Sequence, residues 1–299
     1  MKILVTGRHG QLARSLVERC ASHPGLEIVA LGRPVLDLEA PKTIAPAIRA
    51  AAPDVVINAA AYTAVDQAED EPDRAFAVNA EAAGLVAAAT RAGGARLIHV
   101  STDYVFDGRA TEPYDEAAAT APLGLYGRSK LEGERRVRDA DPAALIVRTA
   151  WVYSPFGRNF VKTMLTLAES RDRVSVVDDQ RGSPTSALDL ADGLLAAIEA
   201  WGQGVTTAGD PVYHLAGSGA ASWADVAICV FEAARRNGLP AAEVERISSA
   251  TWPTRALRPA NSMLDSSKFE RDFGYRAPDW RESVATAVAL IAEGAPCRP

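Results

Sequence analysis

An apolar run, Ile3-Leu4-Val5, passes directly into Gly7-Arg8-His9-Gly10-Gln11-Leu12-Ala13. Leu12, Leu16, Val17 and Cys20 then recur at helical spacing until Pro24-Gly25 ends the segment. A strand, a glycine turn and a helix in immediate succession constrain the fold more than any other stretch, because they mark the start of a nucleotide-binding βαβ unit. Glycines permit a tight turn and close backbone approach, and the unpaired N–H groups at the helix start suit a pyrophosphate. The plainer reading is an ordinary strand-to-helix turn. The spacing Gly7-x-x-Gly10-x-x-Ala13 also differs from the commonest dinucleotide fingerprint, Gly-x-Gly-x-x-Gly. As a cofactor loop, it would contribute Gly7, His9, Gly10, Gln11 and Leu12.

Alternation continues along the chain. Glu27 to Leu31 reads as a second strand ending at Gly32-Arg33. An acid there would bind a ribose 2′-hydroxyl, whereas an arginine suits a 2′-phosphate, so Arg33 tilts the cofactor toward NADPH and leaves NADH open. A solvated loop arginine is the competing reading. Asp37 and Leu38 fall where the adenine end could reach them. A helix over Ala45 to Ala52 leads to a third strand, Val55-Val56-Ile57, which runs into Asn58-Ala59-Ala60-Ala61-Tyr62-Thr63. Small residues at a strand's carboxyl end let a ligand backbone pass closely. A long alanine-rich helix is expected from Glu71 to Ala92, then a fourth strand, Arg96 to Val100, ending at Ser101-Thr102-Asp103-Tyr104. This βα rhythm predicts an α/β fold with a doubly wound parallel sheet of Rossmann type.

Ala144 to Thr149 is a further buried strand leading into Trp151, which could touch a ligand or close the core. The alternation weakens after Ser154-Pro155. Residues 1–153 are therefore expected to form the cofactor-binding domain, with the chain returning to it over 187–217. A smaller lobe at the C-terminal side, 154–186 and 218–299, is expected to hold substrate. Within these stretches Asn159 to Ala168, Leu188 to Trp201 and a segment from Ser222 to about Asn237 read as helices. Val174 to Val177 and Val212 to Ala216 read as strands. Gln180 to Thr185 and Thr254 to Asn261 read as loops, and the arginines of the second suit a diphosphate.

Tyr126-Gly127-Arg128-Ser129-Lys130 carries the chemistry. Residues four apart on a helix face the same way, so an ammonium can sit near a phenol, favour its ionised form and tune it for proton transfer. With seven tyrosines and five lysines in 299 residues, chance supplies about 0.1 such pairs, so the pair needs a cofactor and a third polar group beside it. Thr102, at a strand end on the same sheet edge as Gly7 and Asn58, is that candidate, although Ser-Thr-Asp is more often a turn or cap.

A formal net charge of −6 argues against a nucleic-acid surface. No apolar stretch is long enough for a membrane span. Cys20, Cys229 and Cys297 are far apart, the four histidines are scattered, and neither set has metal-ligand spacing. Because the chain opens on a strand-like run, no cleaved signal is expected, and the location expected is cytoplasmic.

Taken together, Gly7-x-x-Gly10-x-x-Ala13, Asn58-Ala59-Ala60, Ser101-Thr102-Asp103 and Tyr126-x-x-x-Lys130 resemble the extended short-chain dehydrogenase/reductases that act on nucleotide sugars. Further matches run in order over nearly the whole chain: Asn58 to Asp66, Arg148 to Tyr153, Asp179 to Thr185 and Arg258 to Ser262. Within that family they resemble the enzymes that reduce the C4 ketone of a dTDP-linked 6-deoxy sugar with NADPH. The resemblance implies that Tyr126 protonates the new C4 oxygen, that Lys130 holds the nicotinamide ribose and lowers the tyrosine pKa, and that Thr102 binds the carbonyl. It implies cofactor contacts from Gly7, His9, Gly10, Gln11, Leu12, Arg33, Asp37, Leu38, Ala59, Ala60, Ala61, Tyr126 and Lys130. Substrate contacts are implied for Thr63, Val65, Asp103, Tyr104, Trp151, Arg258 and Asn261. Related dehydratases carry a glutamate where this chain has Tyr104, which speaks for reduction without elimination. Some relatives carry a glutamate just after the glycine motif that helps bind magnesium between subunits. Ser15 stands there instead, so no metal is expected, and monomer or homodimer both stay open. An epimerase or reductase of another nucleotide sugar remains an alternative. So does a non-catalytic NADP-binding subunit like the one that partners methionine adenosyltransferase.

Overall fold

Alternation within the first strand sets the architecture. Ile3 and Val5 face one core, Leu4 faces the other, and all three are fully buried. Such a strand belongs in a parallel sheet with helices on both faces. The computed structural model, which describes residues 1–205 and 210–294, contains that sheet. Cys297 lies outside the described residues.

Along the chain the strands are β1 (Lys2–Thr6), β2 (Glu27–Leu31), β3 (Val55–Asn58), β4 (Arg96–Thr102), β5 (Leu145–Thr149), β6 (Arg173–Val177), β7 (Val212–His214) and β8 (Glu243–Ile247). Six of them form one parallel sheet in the order β7-β5-β4-β3-β1-β2. The strand order reverses between β1 and β3, and open α/β sheets bind ligands at such a switch point, beyond the strands' carboxyl ends. Helices α1 (Gln11–Cys20), α2 (Ile44–Ala51), α3 (Ala82–Ala92), α4 (Leu125–Ala140), α5 (Phe160–Ala168), α6 (Ala187–Gly202), α7 (Trp223–Arg236), α8 (Ser267–Phe273) and α9 (Trp280–Ala292) complete the named elements. Leu12 and Leu16 of α1 and Leu190, Leu194 and Ile198 of α6 pack under one face of the sheet. Ile44 and Ile48 of α2, Val86 of α3 and Val137 of α4 cover the other. Each such side chain contributes about 1.5–3 kcal/mol by leaving water.

A third core lies beyond β5. Val161 and Met164 of α5, Val174 and Val176 of β6, Val230 and Phe231 of α7, and Trp280 and Val284 of α9 enclose it. Its start signal was legible: Ser222 and Asp225 form a reciprocal capping box at the head of α7. No described helix is long and apolar enough to cross a membrane.

The structure corrects several expectations. The helix expected over Glu71 to Ala92 is broken in the middle by a π-helical turn, Ala77–Glu81. That turn aims Asn79 at the loop after β3: its Oδ1 accepts the Tyr62 N–H at 2.8 Å, and its Nδ2 donates to the Ser129 hydroxyl at 3.0 Å. Arg181–Gly182, expected as loop, forms a short strand between Ala221–Ser222 and Asn261–Ser262.

Candidate active site

The carboxyl ends of β1, β3 and β4 are joined by a polar ladder. Thr6 Oγ1 donates to Asn58 Oδ1 at 2.8 Å and accepts the Ala60 N–H at 2.9 Å, while the Asn58 amide meets His99 Nδ1 at 3.0 Å. Gly7 has φ +91°, and a Cβ there would lie 3.2 Å from the Ala60 Cβ, so a side chain would be strained and would crowd that loop. Gly10 occupies the cap position of α1 without a side-chain bond, which leaves the first-turn N–H groups free for an anion.

A cleft of about 900 Å³ opens above these ends. Every cofactor residue expected from the sequence lines it: Gly7, His9, Gly10, Gln11, Leu12, Arg33, Asp37, Leu38, Ala59, Ala60, Ala61, Tyr126 and Lys130. Arg8, Glu39 and Arg74 line it too and were not anticipated. Arg8 packs its Cβ against Gly32, at the end of β2 beside Arg33. Glu39 receives Arg33 at 3.4 Å and also pairs with Arg74, whose hydrogen bond holds that carboxyl below its usual range. An alternating charge set of this kind at a β2 end offers guanidinium groups to a phosphate and a carboxylate to a hydroxyl.

Thr63, Val65, Thr102, Asp103, Tyr104 and Trp151 line the same cleft, together with Tyr126 and Lys130. Helix α4 brings Tyr126 into its first turn, and Glu69 Oε1 accepts the Leu125 N–H at 2.8 Å, an interhelical cap the sequence did not reveal. Thr102 donates to Asp103 Oδ1 at 3.0 Å. Burial pushes the Asp103 carboxyl up to about 7. The Tyr104 ring sits edge-on to Tyr126 at 5.6 Å, and burial raises its phenol. A neutral aromatic therefore stands where a dehydratase would need a carboxylate.

Two tyrosine–lysine expectations part here. Lys130 is buried and shares the cleft with Tyr126, but its ammonium donates to the Val100 carbonyl at 2.7 Å. Burial pushes the Tyr126 phenol up to about 12, and the group that opposes this is the Thr102 hydroxyl, through a hydrogen bond, not Lys130. Desolvation dominates the Tyr126 shift, and the Lys130 ammonium is turned toward a backbone oxygen. Burial also brings Lys130 itself down to about 8, with Glu134 opposing.

Trp151 both faces the cleft and closes a core. It adopts φ +45°, stacks on Trp223 at 3.6 Å and donates Nε1–H to Ser262 at 3.1 Å. Arg258 does not line the cleft; its guanidinium grips Asp66 in two bonds of 2.7 and 3.1 Å. Asn261 is also outside the cleft. Its amide donates to the Ala110 and Glu112 carbonyls and its oxygen accepts the Met263 N–H, so its polar atoms hold a loop. Among the described residues no cluster of three or more His, Cys, Asp or Glu could hold a metal ion. Ser15 is fully buried.

A parallel sheet with a glycine turn at its switch point, and a tyrosine–lysine helix beside a strand-end threonine, define a Rossmann-type dehydrogenase/reductase of the extended short-chain class. A family model described as RmlD substrate binding domain matches residues 1–292. The chain belongs to that family. It is 47% identical over 295 residues to the dTDP-4-dehydrorhamnose reductase of Sinorhizobium fredii, covering 98% of this chain and 99% of that one. It is 41% identical to that of Salmonella typhimurium, covering 95% and 96%. Among solved structures, a dTDP-4-dehydrorhamnose reductase from Clostridium acetobutylicum superposes with TM-score 0.89 at 36% identity, covering 97% and 99% of the two chains. One from Bacillus anthracis in complex with NADP superposes at 0.87 with 34% identity, covering 96% and 98%.

Proposed function

We propose that this protein reduces the C4 ketone of dTDP-4-dehydro-L-rhamnose with NADPH, giving dTDP-L-rhamnose. The carrying observation is that Thr102, Tyr126 and Lys130 share the cleft that the glycine turn opens. The cofactor supplies hydride to C4 when bound. Thr102 and Tyr126 hold the carbonyl oxygen, and Tyr126 delivers a proton to it as negative charge develops. Lys130, as ammonium, holds the cofactor's ribose and offsets that charge. Residues 154–186 and those from 218 onward serve as the substrate lobe, and a nicotinamide-dependent step on a sugar nucleotide fits the cytoplasm. The test is to mix the purified protein with dTDP-4-dehydro-L-rhamnose and NADPH and follow the absorbance of the reduced nicotinamide. No oxidation at any pH with either nicotinamide would sink the proposal.

Arg33 supports a preference for NADPH. Arg33→Ala is expected to raise KM for NADPH about tenfold, the loss of one charge-assisted hydrogen bond, and to leave KM for NADH nearly unchanged. Equal loss with both cofactors would remove the 2′-phosphate assignment. Activity should also fall as pH rises through about 8, because the working form of Lys130 is the ammonium, present below its pKa of about 8 and lost above it. A kcat/KM profile flat to pH 10 would contradict that role.

A further inference from the structure

Glu134 lies one helical turn beyond Lys130 on α4 and is almost fully buried. Its Oε1 accepts the Ser101 hydroxyl at 2.5 Å and Arg148 Nε at 2.9 Å, and its Oε2 accepts Arg148 Nη2 at 2.7 Å. Ser101 and Arg148 are register partners on β4 and β5, one residue before the paired Thr102 and Thr149. One carboxylate therefore ties the helix that carries Tyr126 and Lys130 to the strand that carries Thr102 and Val100, whose carbonyl receives the Lys130 ammonium. Neither Glu134 nor Arg148 lines the cleft.

We propose that Glu134 is a positioning residue for this reaction: through Ser101 and Arg148 it sets the register of α4 on β4, and it places a negative charge one helical turn from the Lys130 ammonium. The neighbouring ionisable groups leave it that task. His99, on β4, is held neutral by burial and by the Lys130 charge itself. Tyr126, on the same helix, is neutral because burial raises its phenol. Asp103 acts on Tyr104 and Tyr126, and Arg148, packed over the Phe106 ring at 5.2 Å, bears on His214. Glu134 is the carboxylate that works against the desolvation of Lys130. Without that charge the lysine loses its proton at a lower pH, inside the working range.

The inference rests on the reductase reading, and its test separates the two. Glu134→Gln keeps the shape and removes the charge. Its basic limb in kcat/KM should move down by about one pH unit, leaving roughly fivefold less activity at pH 8 and nearly full activity at pH 6. Glu134→Asp, which keeps the charge, should restore the limb. Because Glu134→Gln leaves Arg148 buried and unpaired, Glu134→Gln/Arg148→Gln provides a charge-balanced second variant, whose shift should keep the same direction and be smaller, since the neighbouring positive charge goes too. NMR titration of protein carrying ε-carbon-labelled lysine follows Lys130 directly, with Lys130→Arg identifying its signal, and needs no turnover. A lower titration midpoint in the Gln variants supports the proposal even if the sugar specificity is wrong. An unmoved midpoint in the Gln variants overturns it.

Discussion

Tyr126→Phe is expected to lower kcat about a thousandfold while leaving the Kd for NADPH within about twofold, because proton donation by a positioned side chain typically contributes 10²–10⁴-fold. The variant keeps the ring, and with it the edge-on contact to Tyr104 at 5.6 Å, so the cleft wall is retained and only the donor is lost. Single-turnover oxidation of bound NADPH isolates this step from binding and release. A loss below tenfold would mean that another group protonates the C4 oxygen. A carboxyl to examine would be Asp103, which burial pushes up to about 7.

Gly127→Ala is expected to be damaging by a different route. The Tyr104 carbonyl oxygen occupies the place where an alanine Cβ at 127 would stand, and Pro122 Cβ lies 3.0 Å from it. Neither neighbour is the free end of a flexible side chain, so helix α4 must move relative to the Thr102-Asp103-Tyr104 segment. Overpacking of this kind costs about 1–3 kcal/mol. A displacement near 1 Å between a reacting pair costs about 10²-fold in rate. A lower Tm together with a fall of about 10²-fold in kcat/KM is therefore expected, measured by thermal unfolding and steady-state kinetics on the same preparation. Unchanged values of both would show that the close approach of α4 to Tyr104 has no bearing on the triad.

The elements read most directly from sequence are those whose burial is local and two-sided. Ile3-Leu4-Val5 and Val55-Val56-Ile57 announce parallel strands because every residue is apolar, and Gly7 and Gly10 announce the turn because other residues would crowd or strain it. Strand β8, Glu243–Ile247, was missed because its charged, largely solvent-facing sequence gains strand geometry only by pairing with β6, about seventy residues earlier in the chain. The π turn at Ala77–Glu81 leaves no compositional trace in an alanine-rich helix. At the site, the Thr102–Tyr126–Lys130 grouping follows from strand-end and helix-face logic. Arg258 and Asn261, which the resemblance sets against substrate, are engaged in this structure by Asp66 and three backbone groups. Asp66 for Arg258 and the Ala110 and Glu112 carbonyls for Asn261 lie far away in sequence, and the same holds for Glu69 capping α4 and for Glu134 meeting Ser101 and Arg148.

The account stands on a hydride reaching C4 of the sugar while Tyr126 protonates the oxygen. Its most direct test is to supply NADPH carrying deuterium at the transferable position with dTDP-4-dehydro-L-rhamnose, and to locate the label in the product by NMR. The account predicts one deuterium at C4 of dTDP-L-rhamnose for each NADPH oxidised, formed about a thousandfold more slowly by Tyr126→Phe. Label at another carbon, product without label, or undiminished transfer by the phenylalanine variant would contradict it.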